Sequence, residues 1–471
     1  MRTTLAPLLS GRYTILVAFL SAAVLCAFLI QDDRIRFTRE DSWPRRAEGE
    51  AGSRPDAVAD PLHPSASVYG SPTPSYKGSC QTPSPISRLI PVSDNLRPDT
   101  KYITSWGGNA GWTIMKLVYL GLLTDRVSVL PLHTSTHLPG EGPPLMVSEV
   151  FDLPRLRMAL GKPVLEWQDV KQANSSVLDD IGCWDVWSTV GGDKGPRPSS
   201  VTQKLNLDIS YTKTPFWIKL YPDQKHDLHS TFWSLAALDS PTARAESLVG
   251  TQALPSPQHQ LSLPPDEQLL CYDYLYYAVS SQPPEIGSEY SPVWRDVGQH
   301  MHWTPRLERL ADEYVRQALG IDTEDPIPPY ISVHARHSDF EAFCPPHLPP
   351  HECFASLPTL ARRVDEVKAE ILERKGVEVA HVLVTSDERN QTWWDRVVEM
   401  GWRPADHARF NTEEVHGVWY PVLLDSVILS RGIGLVGTDG STLSILASRR
   451  VQTWNDGSVR FVQRRNGMEA N

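Results

Sequence analysis

Across most of this chain, short runs of β-prone apolar residues alternate with segments whose apolar residues recur every three to four positions. The β-prone runs at 101–105, 379–386 and 434–437 predict strands, and the segments after them predict amphipathic helices. Strands that alternate with helices favour parallel sheets covered by helices. The prolines of residues 326–329 divide the pattern, so we predict an α/β fold of two units with a ligand cleft between them.

The composition narrows the class of protein. A chain of 471 residues has room for two or three domains. With 41% hydrophobic and 21% charged residues it can bury large cores. Its 45 basic and 56 acidic residues give a net charge of −11, which argues against a nucleic acid as the main partner. The absence of a fixed-period repeat excludes solenoids and propellers.

An uncharged run of 18 residues, 13–30, lies near the N-terminus. At about 1.5 Å per residue a helix of this length covers most of a ~30 Å hydrocarbon core. We therefore predict a cytosolic tail and transmembrane anchor at 1–30. A cleaved signal peptide is the alternative, but its apolar region is usually shorter and ends in a small-residue site. Basic residues flank both ends of the run, and we place the rest of the chain in the lumen because long domains cross largely regardless of charge.

The next segment has the composition of a stem. Residues 41–98 contain ten prolines, mixed with Ser, Gly and Arg, and such a segment buries too little apolar surface to fold. We predict a disordered stem at 31–97; a tolerated linker without that role is the alternative. Two glycosylation sequons, at Asn174 and Asn390, agree with a luminal head in the endoplasmic reticulum or Golgi.

Five cysteines follow the anchor: Cys80, Cys183, Cys271, Cys344 and Cys353. The last two lie close to His347 and His351, which gives a spacing similar to that of metal ligands. The prolines between them fit a closed loop better than a zinc site. In an oxidising lumen we therefore favour a Cys344–Cys353 disulfide. The odd number leaves one luminal thiol free or paired between chains.

Three segments that follow predicted strands carry groups suited to ligand binding, because ligands of open α/β sheets bind at the carboxyl ends of strands. The first is a glycine turn, Trp106-Gly107-Gly108-Asn109. Its glycines let backbone N–H groups approach a ligand, and the following helix directs its positive end there. An ordinary strand–helix turn is the alternative.

The second segment is His334-Ala335-Arg336-His337-Ser338-Asp339-Phe340. It brings imidazole, guanidinium and carboxylate groups together directly after a buried strand. An arginine at such a position can hold a phosphate through two hydrogen bonds, which a lysine cannot do. The alternative is a surface ion pair between Arg336 and Asp339, which contributes little.

The third segment, Gly437-Thr438-Asp439-Gly440-Ser441-Thr442-Leu443-Ser444, predicts a strand, a hydroxyl-rich turn and a helix at 441–448, followed by a last strand at 451–454. Ser441 or Thr442 would cap the helix and leave its N–H groups open to an anion. Plain helix capping is the alternative. The glycines at 432, 434 and 437 match a dinucleotide fingerprint in spacing only, since they precede or form the strand.

Taken in order, these segments resemble motifs of the GDP-fucose protein O-fucosyltransferases: a glycine turn ending in Asn, H-x-R-R-x-D-F, and G-T-x-x-S-T-x-S. The run 384–387 resembles the family's strand ending in Ser-Asp, and Asp425 lies in a segment like its next helix. Arg450 and Trp454 resemble its tail. The resemblance implies two Rossmann-like lobes facing a cleft, a GT-B-like fold, with an acceptor-side lobe at 98–325 and a nucleotide-sugar lobe at 326–471.

The resemblance also implies site residues. Arg336 and Asn109 would be catalytic, with His334 and Asp425 at the guanine end. The residues expected to bind the GDP-sugar are Gly107, Gly108, His334, Asp387, Asp425, Thr438, Ser441, Thr442 and Leu443. The reaction would be an inverting transfer of fucose from GDP-fucose to a protein or glycan acceptor. No metal or other cofactor is expected, since the chain has no D-x-D triplet.

The chain departs from the family pattern at several points. His337 and Ser338 stand where the family usually has Arg and Gly, and we expect His337 to tolerate Ala better than Arg336. No acidic residue follows the glycine turn to serve as a general base. A binding protein that keeps the fold without turnover is therefore one alternative. A glycosidase using Asp339 and Glu341 is another, although nothing in the sequence brings them to the ~5–10 Å separation required.

Overall fold

The structure is a computed structural model, and it describes residues 92–107, 110–134, 142–171, 175–192, 194–283, 285, 288 and 290–463. The predicted anchor and residues 31–91 of the predicted stem lie outside this part, so both stay predictions. No helix within the described part of the chain has the length and apolar character needed to cross a bilayer.

The folded head begins before the predicted boundary at residue 98. Helix α1, Val92–Asn95, lies inside the segment that we assigned to the stem. Val92 is 3% exposed and Leu96 is 6% exposed, and both belong to the apolar cluster on one face of the first sheet. The head therefore includes at least residues 92–97, because burial of these side chains compensates for the nearby prolines.

The first sheet contains six strands. They are β1 (Tyr102–Gly107), β2 (Val127–Leu130), β3 (Val164–Glu166), β4 (Asp179–Asp185), β5 (Leu207–Lys213) and β7 (Leu269–Tyr274). All pairs are parallel, in the order β3-β2-β1-β7-β4-β5. Two short strands, β6 (Ser230–Thr231) and β8 (Ala278–Val279), pair with each other outside this sheet.

The second sheet contains five strands. They are β9 (Tyr330–Ala335), β10 (His381–Ser386), β11 (Arg403–Pro404), β12 (Gly434–Thr438) and β13 (Ser458–Val462). They are also parallel, in the order β11-β10-β9-β12-β13. This order matches the first five strands of the doubly wound dinucleotide-binding fold. The first sheet departs from that order because β7 inserts between β1 and β4.

Helices connect the strands. The helices of the first part are α2 (Ala110–Thr124), α3 (Val147–Val150), α4 (Leu153–Leu160), α5 (Trp167–Val170), α6 (Trp187–Val190), α7 (Ser200–Lys204), α8 (Phe232–Ala237), α9 (Pro241–Leu248), α10 (Pro292–Asp296) and α11 (Pro305–Leu319). Those of the second part are α12 (Pro350–Cys353), α13 (Leu357–Lys375), α14 (Gln391–Glu399), α15 (Thr412–His416), α16 (Tyr420–Arg431) and α17 (Thr442–Asn455).

The parallel α/β class is confirmed, but the predicted last strand at 451–454 is wrong. Those residues form the end of α17, and the last strand is β13. The run containing Val451 and Trp454 also fits a helix, because Ala447, Val451 and Trp454 recur at a spacing of three to four residues. Asp456, in the left-handed conformation at φ 47°, ends the helix.

One apolar core joins the two sheets. Ile103 of β1 and Leu117 of α2 belong to the same buried cluster as Leu424 and Ile428 of α16 and Leu446 of α17. The amphipathic helix α11 also packs against α16. The helices of the two sheets therefore share one buried core.

Two disulfides are present among the described cysteines. Cys344–Cys353 closes a short loop after β9, which confirms the predicted pairing over a zinc site. Cys183–Cys271 links β4 to β7 inside the first sheet, a pairing that the sequence did not predict. Cys80 lies outside the described residues.

Candidate functional site

The candidate site lies where β9, β10 and β12 end side by side. Ala335, the last residue of β9, pairs with Ser386, the last residue of β10. Thr438 ends β12 on the other side of β9. Arg336 and Asp387 directly follow two of these strands, so the topology brings together the second and third sequence segments.

Hydrogen bonds through Thr438 and Ser444 fix the site backbone. The Thr438 hydroxyl donates to the His334 carbonyl at 2.9 Å and accepts the Arg336 N–H at 3.0 Å. The Thr438 N–H donates to Ser444 Oγ at 3.0 Å, and that oxygen lies 2.7 Å from His334 Nδ1. The loop after β9 is thereby tied to the first turn of α17.

His334 is a buried, neutral imidazole. Only 3% of the residue is exposed. Burial, with smaller contributions from the charges of Arg336 and His337, lowers the pKa of His334 to about 3. At neutral pH its ring therefore offers one donor and one acceptor and carries no charge.

The Arg336 guanidinium lies between two carboxylates. Its Nη2 lies 2.8 Å from Asp339 Oδ1, and its Nη1 lies 2.9 Å from Asp387 Oδ2. About a quarter of the side chain is exposed. The ion pair with Asp339, which we considered as the alternative to a phosphate site, is therefore present. A phosphate at Arg336 would have to compete with both carboxylates.

Asp387 and His337 hold the loop in shape. The His337 N–H donates to Asp387 Oδ1 at 2.7 Å. The His337 ring stacks on Phe354 at a centroid distance of 4.5 Å, and its Nδ1 lies 2.6 Å from Glu388 Oε2. Burial of Glu388 acts to raise its pKa, but hydrogen bonds from the Asn390 N–H and from His337 outweigh this and lower it. His337, at 7% exposure, is thus a packing residue.

The N-terminus of α17 is open to an anion. Ser441 is the N-cap, and its hydroxyl accepts the N–H of Ser444 at 3.4 Å. The N–H groups of Thr442 and Leu443 come earlier in the turn and have no intrahelical acceptor. No acidic residue lies in this turn. The helix thus directs N–H donors without an intrahelical acceptor, and the positive end of its dipole, to the carboxyl edge of the second sheet.

Asp425 belongs to a different network. Its Oδ1 lies 2.9 Å from His407 Nε2, and His407 Nδ1 lies 3.2 Å from the Thr412 hydroxyl, which lies 2.6 Å from the Tyr314 hydroxyl. No hydrogen bond among the described residues connects Asp425 to His334. The joint role of these two residues at a guanine base remains a prediction.

The glycine turn is described only at its first residue. Gly107 ends β1 opposite Tyr274 of β7. Gly108 and Asn109 lie outside the described residues, so their predicted roles stay predictions. Gly107 itself lies at the carboxyl edge of the first sheet, as expected for a residue that follows the first strand.

Sequence reasoning missed two carboxylates at this edge. Asp185 ends β4, and Asp273 lies one residue before the end of β7. Burial raises the pKa of both carboxyl groups, and the Asp185 charge raises that of Asp273 further. The signal that could have found them is the one used for the second segment, since each β-prone run (181–187 and 269–274) contains a carboxylate close to its end.

Among the described residues, one group of metal-capable side chains lies elsewhere. The ligand atoms of Asp180, Asp208 and His259 lie within 4.8 Å of one another, but at the amino ends of β4 and β5, away from the site. Asp208 already accepts hydrogen bonds from the Ser256 hydroxyl and the His259 N–H, at 2.8 and 2.7 Å. The Asp208 carboxylate therefore already binds the loop at 256–259.

Comparisons with known proteins gave structural matches only. No protein-family model matches the chain, and no curated protein of similar sequence was found. The crystal structure of POFUT1 in complex with GDP-fucose is similar at 15% identity and a TM-score of 0.44, covering 77% of this chain and 98% of that one. The fucosyltransferase NodZ from Bradyrhizobium is similar at 13% identity and a TM-score of 0.36, covering 74% of this chain and 92% of that one. NodZ α-1,6-fucosyltransferase soaked with GDP-fucose is similar at 12% identity and a TM-score of 0.35, covering 74% of this chain and 91% of that one.

Proposed function

We propose that this protein is a metal-independent, inverting glycosyltransferase that transfers fucose from GDP-fucose to a protein Ser/Thr hydroxyl or another luminal acceptor. The observation that carries the proposal is the open N-terminus of α17, with its cap Ser441, beside Arg336 and Thr438 at the carboxyl edge of a parallel sheet. The motif resemblance supplies the identity of the donor.

In the proposed complex the diphosphate lies at the start of α17. The N–H groups of Thr442 and Leu443 and the hydroxyl of Ser441 would be the donors at this position, whereas the Thr438 hydroxyl already donates to the His334 carbonyl. His334 Nδ1 contacts Ser444 Oγ in the first turn of α17 and so helps to hold this turn in place. His334 and Asp425 would contact the guanine end, as the resemblance implies, and Asp387 would hold Arg336 in place.

The charge that develops during the proposed transfer determines which groups the reaction needs. The acceptor oxygen attacks the anomeric carbon of fucose from the face opposite GDP, the bond to the β-phosphate oxygen breaks, and the proton of the acceptor hydroxyl passes to solvent water. Negative charge grows on the leaving phosphate, where Arg336 and the helix N-terminus would stabilise it. Gly107, Gly108 and Asn109 would approach the sugar from the first lobe.

A second candidate is a binding protein of the same fold without turnover. The observation that favours it is the position of Arg336 between Asp339 and Asp387. Two carboxylates neutralise the charge that the mechanism requires. Release of GDP from GDP-fucose by the purified protein distinguishes the two candidates.

The proposed location is the secretory pathway, with a single-pass anchor and a luminal head. The two disulfides support this proposal, because such bonds persist mainly in oxidising compartments. Thermal protection of the purified chain by GDP in the presence of EDTA would support the metal-free mechanism, whereas protection that requires added manganese would contradict it.

The Arg336→Ala variant tests the proposed catalytic role. Loss of one donor to a developing oxyanion typically reduces the rate by ~10²–10³, about 3–4 kcal/mol. We expect GDP release to fall by this factor while the melting temperature changes little, and Arg336→Lys to restore little because a point charge makes no two-pronged contact.

The matched control is Arg309→Ala, which removes an exposed arginine of α11 and should leave GDP release unchanged. GDP release is measured with and without an acceptor extract. An Arg336→Ala protein that keeps near-full turnover would remove this residue from the mechanism.

A further inference from the structure

The carboxyl edge of the first sheet carries a second cluster of groups, centred on Arg197. Gly107 of β1 pairs with Tyr274 of β7, and β7 in turn pairs with β4 next to Asp185. The ends of these three strands therefore lie side by side. The loop that contains Arg197 crosses this edge, and none of the motifs in the sequence points to it.

This loop is fixed to two of the three strands, β7 and β1. The Arg197 N–H donates to Asp273 Oδ2 at 2.8 Å, and the other oxygen of Asp273 accepts the Val186 N–H at 2.7 Å. Two residues further along, the Ser199 hydroxyl donates to the Trp106 carbonyl at 3.0 Å. Arg197 is therefore held beside the last residues of β1, directly before the predicted glycine turn.

The Arg197 guanidinium stacks on aromatic rings. Its central carbon lies 5.0 Å from the ring centre of Trp187 and 5.9 Å from that of Tyr274. The side chain is half-buried. It has neither an ion pair nor a side-chain hydrogen bond among the described residues, because the neighbouring carboxylate of Asp273 faces backbone N–H groups.

Such a placement leaves the donors of Arg197 open at their edge. The guanidinium carbon lies over the ring of Trp187, and a ring contact of this kind uses none of the N–H groups. The five N–H groups of a guanidinium lie in one plane and match the geometry of a phosphate or carboxylate. The half-buried rings of Tyr276 and Tyr277 lie beside Tyr274, at centroid distances of 6.3 and 5.9 Å.

We propose that Arg197 binds the anionic group of a sugar-containing substrate at this edge of the cleft. The proposal rests on the proposed function only in its choice of ligand. One source of the anion is the diphosphate of GDP-fucose, which would then be held from both lobes. The other source is a carboxylate on the acceptor. The shared chemistry is a planar arrangement of anionic oxygens facing a fixed guanidinium.

The test compares the full-length protein with Arg197→Ala and Arg197→Lys, and with Arg309→Ala as the exposed-arginine control. The probes are GDP, inorganic pyrophosphate and D-glucuronate, titrated by calorimetry and by thermal shift. We expect Arg197→Ala to raise at least one apparent Kd by tenfold or more and Arg197→Lys to recover only part of it. Arg197→Gln, which retains a planar group over the rings, serves if the Ala variant is unstable.

Weaker binding of GDP and pyrophosphate assigns Arg197 to the donor, and weaker binding of glucuronate alone assigns it to the acceptor side. Unchanged affinity for all three probes, or no binding of any of them by the wild-type protein, overturns the proposal. If the wild-type protein binds pyrophosphate or glucuronate but not GDP, the donor proposal fails while the role of Arg197 is still decided by the remaining probes.

Discussion

At the residue scale, His337 shows how a position inside a functional motif can serve the fold. Its ring is stacked on Phe354 and lies edge-on to Trp393 at 5.5 Å. Its Nδ1 meets Glu388 from the loop after β10. These contacts hold the loop that presents Arg336, although His337 itself faces the protein interior.

We expect His337→Ala to lower the free energy of unfolding by about 1–3 kcal/mol, because it removes an aromatic stack and leaves Glu388 without its partner. Urea denaturation measures the change. The control is His347→Ala, at an exposed position ten residues on, which should cost less than about 0.5 kcal/mol. Equal stability of the two variants would show that the stack is unimportant.

The position of Arg336 could be predicted from the sequence, but its surroundings could not. A buried β-prone run followed by Arg336 indicates a residue at the carboxyl edge of a sheet. Its partner Asp387 comes 51 positions later, on the loop after the neighbouring strand. The pairing depends on the register between β9 and β10, which no local pattern specifies. The same reason explains why Arg197 was missed.

At the element scale, α17 and α13 provide a matched pair of capped helices. Ser441 caps α17 at the candidate site, and Ser356 caps α13 at an exposed position, where its hydroxyl accepts the Thr359 N–H at 3.4 Å. Both caps use a serine at the same position relative to the helix. The two helices differ in whether their N-termini face the proposed diphosphate.

We expect Ser441→Ala and Ser356→Ala to reduce stability similarly, by about 1 kcal/mol each. Only Ser441→Ala should weaken GDP binding, by about tenfold or less, since it removes one hydroxyl donor and loosens the first turn. Thermal denaturation and GDP titration measure the two effects. Equal GDP affinity in both variants would place the diphosphate elsewhere.

Helices and strands were predictable where one pattern dominated. The strand β12, Gly434–Thr438, extends the predicted run 434–437 by one residue, since turn signals bound a short apolar run. The end of α17 was not predictable, because the residues around Val451 fit both a short strand and a helix. The segment forms a helix because this conformation packs Leu446 and Val451 into buried clusters.

At the scale of the whole molecule, the two disulfides close loops of very different length. Cys183–Cys271 spans 88 residues and Cys344–Cys353 spans 9. Loop-closure entropy favours the longer bridge as the larger contributor to stability. The longer bridge also lies in the middle of a sheet, with both cysteines fully buried.

We expect the double variant Cys183→Ala, Cys271→Ala to lose about 4–5 kcal/mol and the double variant Cys344→Ala, Cys353→Ala about 2–3 kcal/mol. Guanidinium denaturation of the two variants measures the difference. A larger loss on removal of the short loop would mean that the loop after β9 contributes more than its length implies.

The strand order of the second sheet is that of a doubly wound fold, whereas the order of the first sheet could not have been deduced. β7 follows β5 by more than 50 residues and inserts beside β1. Its sequence, Leu-Leu-Cys-Tyr-Asp-Tyr, predicts a strand but not its neighbours. Only Cys271 within this strand bears on the identity of its neighbours, because a disulfide to Cys183 places β4 beside β7.

The apolar core shared by both sheets has a consequence for how substrates reach the cleft. Two separate lobes could swing apart about a linker, but here a rotation would expose side chains such as Leu117, Leu424 and Leu446 to water. Exposing apolar surface costs about 25 cal/mol per Å², which opposes such a rotation. We therefore expect the ligands of the proposed enzyme to enter between the loops at the strand ends. Crosslinking the two sheets to each other should then leave the rate of entry unchanged.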